Sequence, residues 1–213
     1  MTTPTKTRKR ATRRNPERAR ELILKAAAEV FAYKGFHRTA VEDVARASGY
    51  APASVYKYFH GKEELLFGIW QLVSHHLASL LDEVESMQAT FEVRVRWFSV
   101  KYARFIEEEK AIMGCFMSMY PTASRTEMIQ PELEAIDLYQ EQQRRLSTLM
   151  QQGIKEGALE PGDPQDYVVS LLSLLRGCAF SWANDESHTP LSARLSMSVD
   201  LFLRGSARTQ GED

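Results

Sequence analysis

The sequence predicts an all-α protein in two parts, a unit of three short N-terminal helices followed by a larger bundle of longer ones. Every strong apolar periodicity recurs at three and four residues, the repeat that sets side chains on one face of a helix. Two short helical segments are divided by Gly49 and restarted at Pro52, which reads as a tight turn between helices. The composition then changes at Lys62. Residues 1–62 carry 14 Lys and Arg against 5 Asp and Glu, whereas the rest carries 13 against 23.

With 213 residues, 44% hydrophobic and 26% charged, the chain can bury a sizeable core without covalent staples. Its two cysteines, Cys115 and Cys178, are far apart and outside any CxxC spacing. This suits a reducing compartment and argues against a disulfide framework or zinc knuckle. No apolar stretch approaches the roughly 18 residues a membrane span needs, and the basic N-terminus lacks a signal peptide's apolar run. The expected location is the cytoplasm, with no membrane partner.

The elements follow in order. Residues 1–15 form a basic arm, with Lys6, Arg8, Lys9, Arg10, Arg13 and Arg14 spaced by Thr and Pro. Such a run is expected to be disordered when free. It suits either a solubilising tail or an arm that follows phosphates or enters a minor groove. A first domain is expected over 16–61. Its first helix runs from about Pro16 to Lys34 on Leu22, Ile23, Ala26, Ala27, Val30 and Phe31, with Gly35 as its stop. Thr39 is the expected N-cap of the second helix, with Glu42 completing a capping box ahead of Val44 and Ala45.

Residues 52–59 make the third segment, and its two faces separate on a helical wheel. Val55, Phe59 and part of Tyr58 share the side that anchors on the first two helices. Ala53, Ser54, Tyr56 and Lys57 share the other. That outer face fits a major groove: small residues permit close approach, hydroxyls bond phosphates, and a lysine reaches guanine O6 and N7. A short helix, a glycine turn and this segment make a helix-turn-helix. The alternative is a small core helix with a solvated lysine.

From Arg18 to Trp70 the sequence resembles the TetR family of transcriptional regulators, along the run "ILKAAAEVFAYKGFHRTAVEDVARASGYAPASVYKYFHGKEELL". The shared pattern is F-x-x-x-G-F, then T-[TS]-[VM]-x-x-[IV]-A, then G-[VY]-x-x-x-[TS]-[LV]-Y-x-[HY]-F and K-x-x-L. Ala40 departs from a frequent Ser or Thr, and Ala51 from the polar residue that caps the recognition helix, a loss worth about 1 kcal/mol that Pro52 can offset. The resemblance implies a DNA-binding set of Thr39, Pro52, Ala53, Ser54, Tyr56, Lys57, Tyr58 and Lys62. Within it Thr39 and Lys62 position phosphates at helix N-termini, and Ala53, Ser54 and Lys57 read bases. Tyr56 is expected on a phosphate, and Tyr58 is shared between DNA backbone and core.

The second domain is expected over 62–206, with a disordered tail at 207–213. Lys62 to Glu85 reads as one long helix leading out of the first domain, followed by a stripe of Phe91, Val95, Phe98, Tyr102 and Phe105. "AIMGCFMSMYP" is nearly all apolar, and Leu133 to Gly157 makes another helix. These helices form a bundle. Its candidate ligand-contacting residues are Trp97, Phe98, Tyr102, Phe105, Met113, Phe116, Met117, Tyr120 and Tyr139, because methionines and aromatics make adaptable apolar walls. The alternative is that they are only core.

The last two helices carry more apolar surface than a surface helix needs. Small residues Ser173, Gly177 and Ser181 sit at i, i+4 and i+8, which lets another helix approach. With Leu171, Leu174, Leu195, Val199 and Phe202 they are the expected dimer interface, similar to the family's four-helix mode of pairing. The resemblance further implies a palindromic double-stranded operator, a homodimer, and a small, largely apolar effector that releases a repressor. The alternative is a constitutive DNA-binding protein whose larger domain only dimerises.

No catalytic group, cofactor or metal is expected. His75 and His76 are adjacent rather than at i, i+4, so both read as surface residues. Glu107, Glu108 and Glu109 read as a solvated face, Cys115 as a buried small hydrophobe, and no GxSxG, GxGxxG or P-loop is present.

Overall fold

The computed structural model describes residues 15–118, 130–183, 185 and 189–206, with the backbone alone at 116–118 and 130–136. The basic arm through residue 14, Tyr120 and the 207–213 tail lie outside the described residues, as do the side chains of Phe116 and Met117. Among the described residues the chain is all-α, with nine helices and no strand. In order they are α1 (Pro16–Lys34), α2 (Val41–Ser48), α3 (Pro52–Val55), α4 (Lys62–Ser86), α5 (Phe91–Glu108), α6 (Lys110–Ser118), α7 (Gln130–Lys155), α8 (Pro164–Ala183) and α9 (Leu191–Ser206). Two compact units result, Met1–Leu66 and Phe67–Asp213.

In the first unit, local chemistry sets each helix end. Asn15 Oδ1 accepts the Glu17 N–H at 3.1 Å and Pro16 opens α1, while the Gly35 N–H closes it on Phe31 O at 2.8 Å. Gly49 ends α2 at φ 71°, a left-handed conformation that favours glycine, and turns the chain into α3. Ile23, Ala27, Phe31, Val44, Val55 and Phe59 are the buried core of this unit.

The expected cap of α2 is corrected by the structure. Ala40, not Thr39, occupies the N-cap position, and Asp43, not Glu42, reaches back to it, accepting the Ala40 N–H at 3.1 Å. Thr39 is buried, its hydroxyl donating to Gly35 O at 2.9 Å. The cause is Lys34 at the end of α1. Its ammonium lies 2.6 Å from Asp43 Oδ2 and holds that carboxylate at the helix start, so the threonine hydroxyl braces the preceding turn instead.

In the second unit α5 packs against α9 and α7, and α8 against α7 and α9. Phe91, Val95, Phe98 and Tyr102 of α5 are buried, as are Leu146 and Met150 of α7, Leu171 and Leu175 of α8, and Leu195 and Val199 of α9. One crossing carries a polar lock. Buried Arg94 donates to Gln152 Oε1 at 2.6 Å and Glu156 Oε1 at 2.7 Å, and Glu156 Oε2 accepts the Phe91 N–H at 2.9 Å. Beside it Gly153 faces the Phe91 ring so closely that a Cβ there would lie 2.7 Å from a ring carbon. Gly153→Ala is therefore expected to overpack the crossing and cost about 1–3 kcal/mol, read by urea denaturation. An unchanged midpoint would mean that the helices separate freely there.

Candidate functional site

The recognition segment is built from a short helix and the turn that extends it. Tyr56 N–H bonds Pro52 O at 3.0 Å, and the Tyr58 and Phe59 N–H groups both bond Val55 O, at 2.9 and 3.0 Å. Val55 and Phe59 are buried, Ser54 and Tyr58 are half-buried, and Pro52, Ala53, Tyr56 and Lys57 are exposed. Ala51 supplies no side-chain cap, so Pro52 and the Ser54 N–H to Ala51 O bond at 2.8 Å hold the start.

Two cations far apart in the chain tie the unit together, one on this segment and one on the α1–α2 connection. Arg20 of α1 donates from Nη1 to Tyr58 O at 3.0 Å and lies over the Phe59 ring, 4.5 Å from its centroid. Lys62 donates from Nζ to Phe36 O at 3.3 Å and His37 O at 3.2 Å, above the Phe36 ring. Lys62 is thus engaged with the α1–α2 connection, and the Thr39 hydroxyl with Gly35. Of the eight candidate contacts these two brace the site in the free chain, while Pro52, Ala53, Tyr56 and Lys57 form its open face. Arg20 is a positioning residue that sequence reasoning missed, because its partner Tyr58 lies 38 residues away in the chain.

Two carboxylates hold the helix starts. Asp43 sits below its usual range through the Lys34 hydrogen bond first and the Ala40 N–H second. Glu64 is lowered chiefly by accepting the His60 N–H at the head of α4. A depressed carboxylate adds stability that is complete above its unfolded pKa, about 4, and is lost as pH falls through the lower folded value. Helicity is expected to fall on acidification below about pH 4, and Asp43→Asn to flatten that dependence. Superposable circular-dichroism titrations of the two proteins would contradict this.

The second unit holds a narrow apolar cavity of about 20 Å³, room for about one water. Its walls are Leu77 and Leu81 of α4, Phe98 and Tyr102 of α5, Tyr139, Gln142, Gln143 and Leu146 of α7, and Leu172 and Arg176 of α8. One end is polar. Arg176 Nη2 donates to the Tyr139 hydroxyl at 2.6 Å, and Gln143 and Gln142 lie alongside, the latter donating to Ser74 O at 2.8 Å. Burial pushes the Tyr102 phenol up to about 12, which keeps it neutral.

Of the expected cavity residues, Phe98, Tyr102 and Tyr139 line this space, whereas Trp97, Phe105 and Met113 do not. Trp97 is half-buried with Lys101 over its ring, and Met113 is buried. Phe105 stacks on His76 at 3.9 Å between centroids. His76 is accordingly half-buried rather than a surface residue, and that burial holds its pKa below the ordinary value. The polar cavity residues were missed because no motif marks them.

The expected dimer face divides by burial within the single chain. Leu171, Leu195, Val199 and Phe202 are buried within the single chain, because the strongest apolar stripe of α9 packs on α5 and α8. Leu174, Gly177 and Ser181 are exposed. Beside them Phe180 is 67% exposed on α8, and Met197 and Leu201 of α9 are 65% and 64% exposed.

Burial drives the Cys115 thiol up to about 12, so it is an inert hydrophobe at neutral pH. Among the described residues no group of three His, Cys, Asp or Glu could hold a metal, and no helix is long and apolar enough to cross a membrane.

Comparison with known proteins bears on the whole chain. Residues 23–69 match the family described as "Bacterial regulatory proteins, tetR family". The chain is 25% identical over 174 residues to the uncharacterized HTH-type transcriptional regulator YhgD of Bacillus subtilis, covering 81% of this chain and 87% of that protein. It is 24% identical over 212 residues to the HTH-type transcriptional repressor KstR2 of Mycolicibacterium smegmatis, covering 92% and 95%. The crystal structure of PfmR, a TetR-family transcriptional regulator from Thermus thermophilus, superposes with a TM-score of 0.74 at 25% identity over 87% of this chain and 99% of that one. The family match falls on the helices that carry the recognition segment, so residues 23–69 are a tetR-type regulatory domain, and the similarity to transcriptional regulators, PfmR of the TetR family among them, extends through the cavity-bearing unit.

Proposed function

We propose that this regulator is a homodimeric repressor that sits on a palindromic operator and is released by a small, largely apolar molecule. The observation that carries the reading is the narrow apolar cavity, two of whose walls, Leu77 and Leu81, belong to the helix that begins at Lys62. Anything larger than a water has to part those walls, and so biases the helix whose first residue is tied to the α1–α2 connection of the DNA-binding unit. Residues 16–61 would hold the DNA, the arm over 1–15 would follow phosphates, and 62–206 would bind effector and pair. Such a protein works in the cytoplasm. That the relative in M. smegmatis is a repressor supports the sign of regulation.

The fitting effector has an apolar body for the leucines and Phe98, and a hydrogen-bond acceptor for the Arg176 and Tyr139 end. The narrowness of the cavity also favours the alternative, a constitutive DNA-binding protein. Calorimetry separates the two. A panel of medium-chain carboxylic acids, sterols and halogenated phenols is titrated into free protein and into the operator complex. A true effector binds the free protein and weakens operator affinity, and by linkage the operator weakens effector binding by the same factor. Moving from 99% to 1% of the DNA-competent form needs about 5.5 kcal/mol of differential affinity. Identical effector affinities with and without operator would rule the release mechanism out.

A further inference from the structure

We infer that Glu42 is a specificity-determining residue, whose carboxylate, held by Tyr56, accepts the exocyclic amine of a cytosine in the operator's major groove. This rests on the DNA-binding reading of the first unit and names a reader outside the recognition segment.

Glu42 lies exposed in the first turn of α2, and its Oε1 accepts the Tyr56 hydroxyl at 3.3 Å. Tyr56 directly follows α3, is 43% exposed, and is flanked in the chain by Lys57. The hydrogen bond therefore brings a carboxylate from α2 to the edge of the face formed by Ala53 and Lys57. The other acid of that turn is engaged elsewhere, since Asp43 is tied to Lys34, Arg46 and the Ala40 N–H.

A carboxylate on a phosphate-facing surface is a liability, because it repels the DNA backbone and weakens binding to every sequence. Over the base edges it becomes selective. An ionised carboxylate only accepts hydrogen bonds, and of the four bases guanine and thymine present only acceptors in the major groove. Adenine offers its N6 amine beside the N7 acceptor, which repels a carboxylate, whereas cytosine offers the N4 amine without one. Cytosine is thus the preferred partner. Tyr56 has a single hydroxyl proton, and in the free chain it points to Glu42. That proton is not available to a phosphate while the pair is intact. It fixes one carboxylate oxygen and leaves the other to accept from the base, so Tyr56 is the positioning residue of the pair.

The test is selection of bound duplexes from a randomised pool by the full chain, followed by affinities on the selected site and its single-base variants. Wild type is expected to require cytosine at one position of each half-site, by roughly tenfold over the other bases. Glu42→Gln is expected to shift that position toward adenine, because a glutamine amide pairs with N6 and N7 together. Glu42→Ala is expected to lose the preference without gaining adenine, and Tyr56→Phe to weaken it without changing the preferred base. If Glu42→Gln raises affinity for all duplexes while keeping every base preference, the residue is merely a repulsive charge and the inference is overturned. Failure of wild type to enrich any sequence would overturn the DNA-binding reading itself, a distinct result.

Discussion

The double variant Leu174→Asp, Leu201→Asp is expected to be a folded monomer that no longer holds operator at concentrations where wild type saturates it. Both leucines are exposed on the single chain, Leu201 at 64%, so aspartate at either position disturbs little of the core. They flank the exposed Gly177 and Ser181 on α8 and the exposed Met197 on α9. Two copies of this surface brought together about a two-fold axis would bury each leucine twice. Placing charges at the centre of such an interface costs on the order of 2 kcal/mol per site. Two or more such penalties weaken pairing by about a thousandfold. Operator affinity collapses with it, since each half-site alone then binds without its linked neighbour. Sedimentation reads the oligomeric state and anisotropy the binding. A variant that remains dimeric would move the interface to another surface.

Lys57→Ala carries the second large effect. Lys57 is exposed one residue beyond Tyr56, on the side opposite buried Val55 and Phe59. A lysine that reads a guanine edge contributes roughly 1–3 kcal/mol on the true site and little on random duplex. The expected result is a weakening of about that size on operator, with relaxed preference at one position per half-site. Deleting residues 1–14 should do the opposite. It should weaken operator and random DNA alike and reduce the salt slope by about 0.9 for each phosphate that the arm no longer neutralises. An equal weakening on both duplexes for Lys57→Ala would make the lysine a phosphate clamp.

Much of the first unit was legible because its determinants are local. Pro16, Gly35, Gly49 and Pro52 punctuate the helices through their own backbone preferences, and Val55 and Phe59 fall on the side opposite Ala53 and Lys57 by helical spacing alone. What escaped were side chains whose role depends on distant partners. Lys34 decides which residue caps α2, Arg20 reaches across 38 residues to Tyr58, and Lys62 reaches back 26 to Phe36. The outward face of helix α9 is hard to read for another reason. The helix has two apolar stripes, and periodicity identifies stripes without saying which one the helix's own neighbours cover. The cavity is harder still, since Gln142, Leu172 and Arg176 meet only where α7 and α8 pack together.

The central claim is that the open face of the first unit reads DNA sequence as a dimer. The most direct measurement is an anisotropy titration of the full chain onto its selected operator and onto a scrambled duplex of equal length, at several salt concentrations. Operator binding is expected to be at least about a thousandfold tighter than scrambled binding near physiological salt, at two chains per site. The ratio is expected to persist as salt rises while both affinities fall. Equal affinity for the two duplexes at every salt concentration would contradict the claim, leaving the basic end as a non-specific polyanion-binding surface.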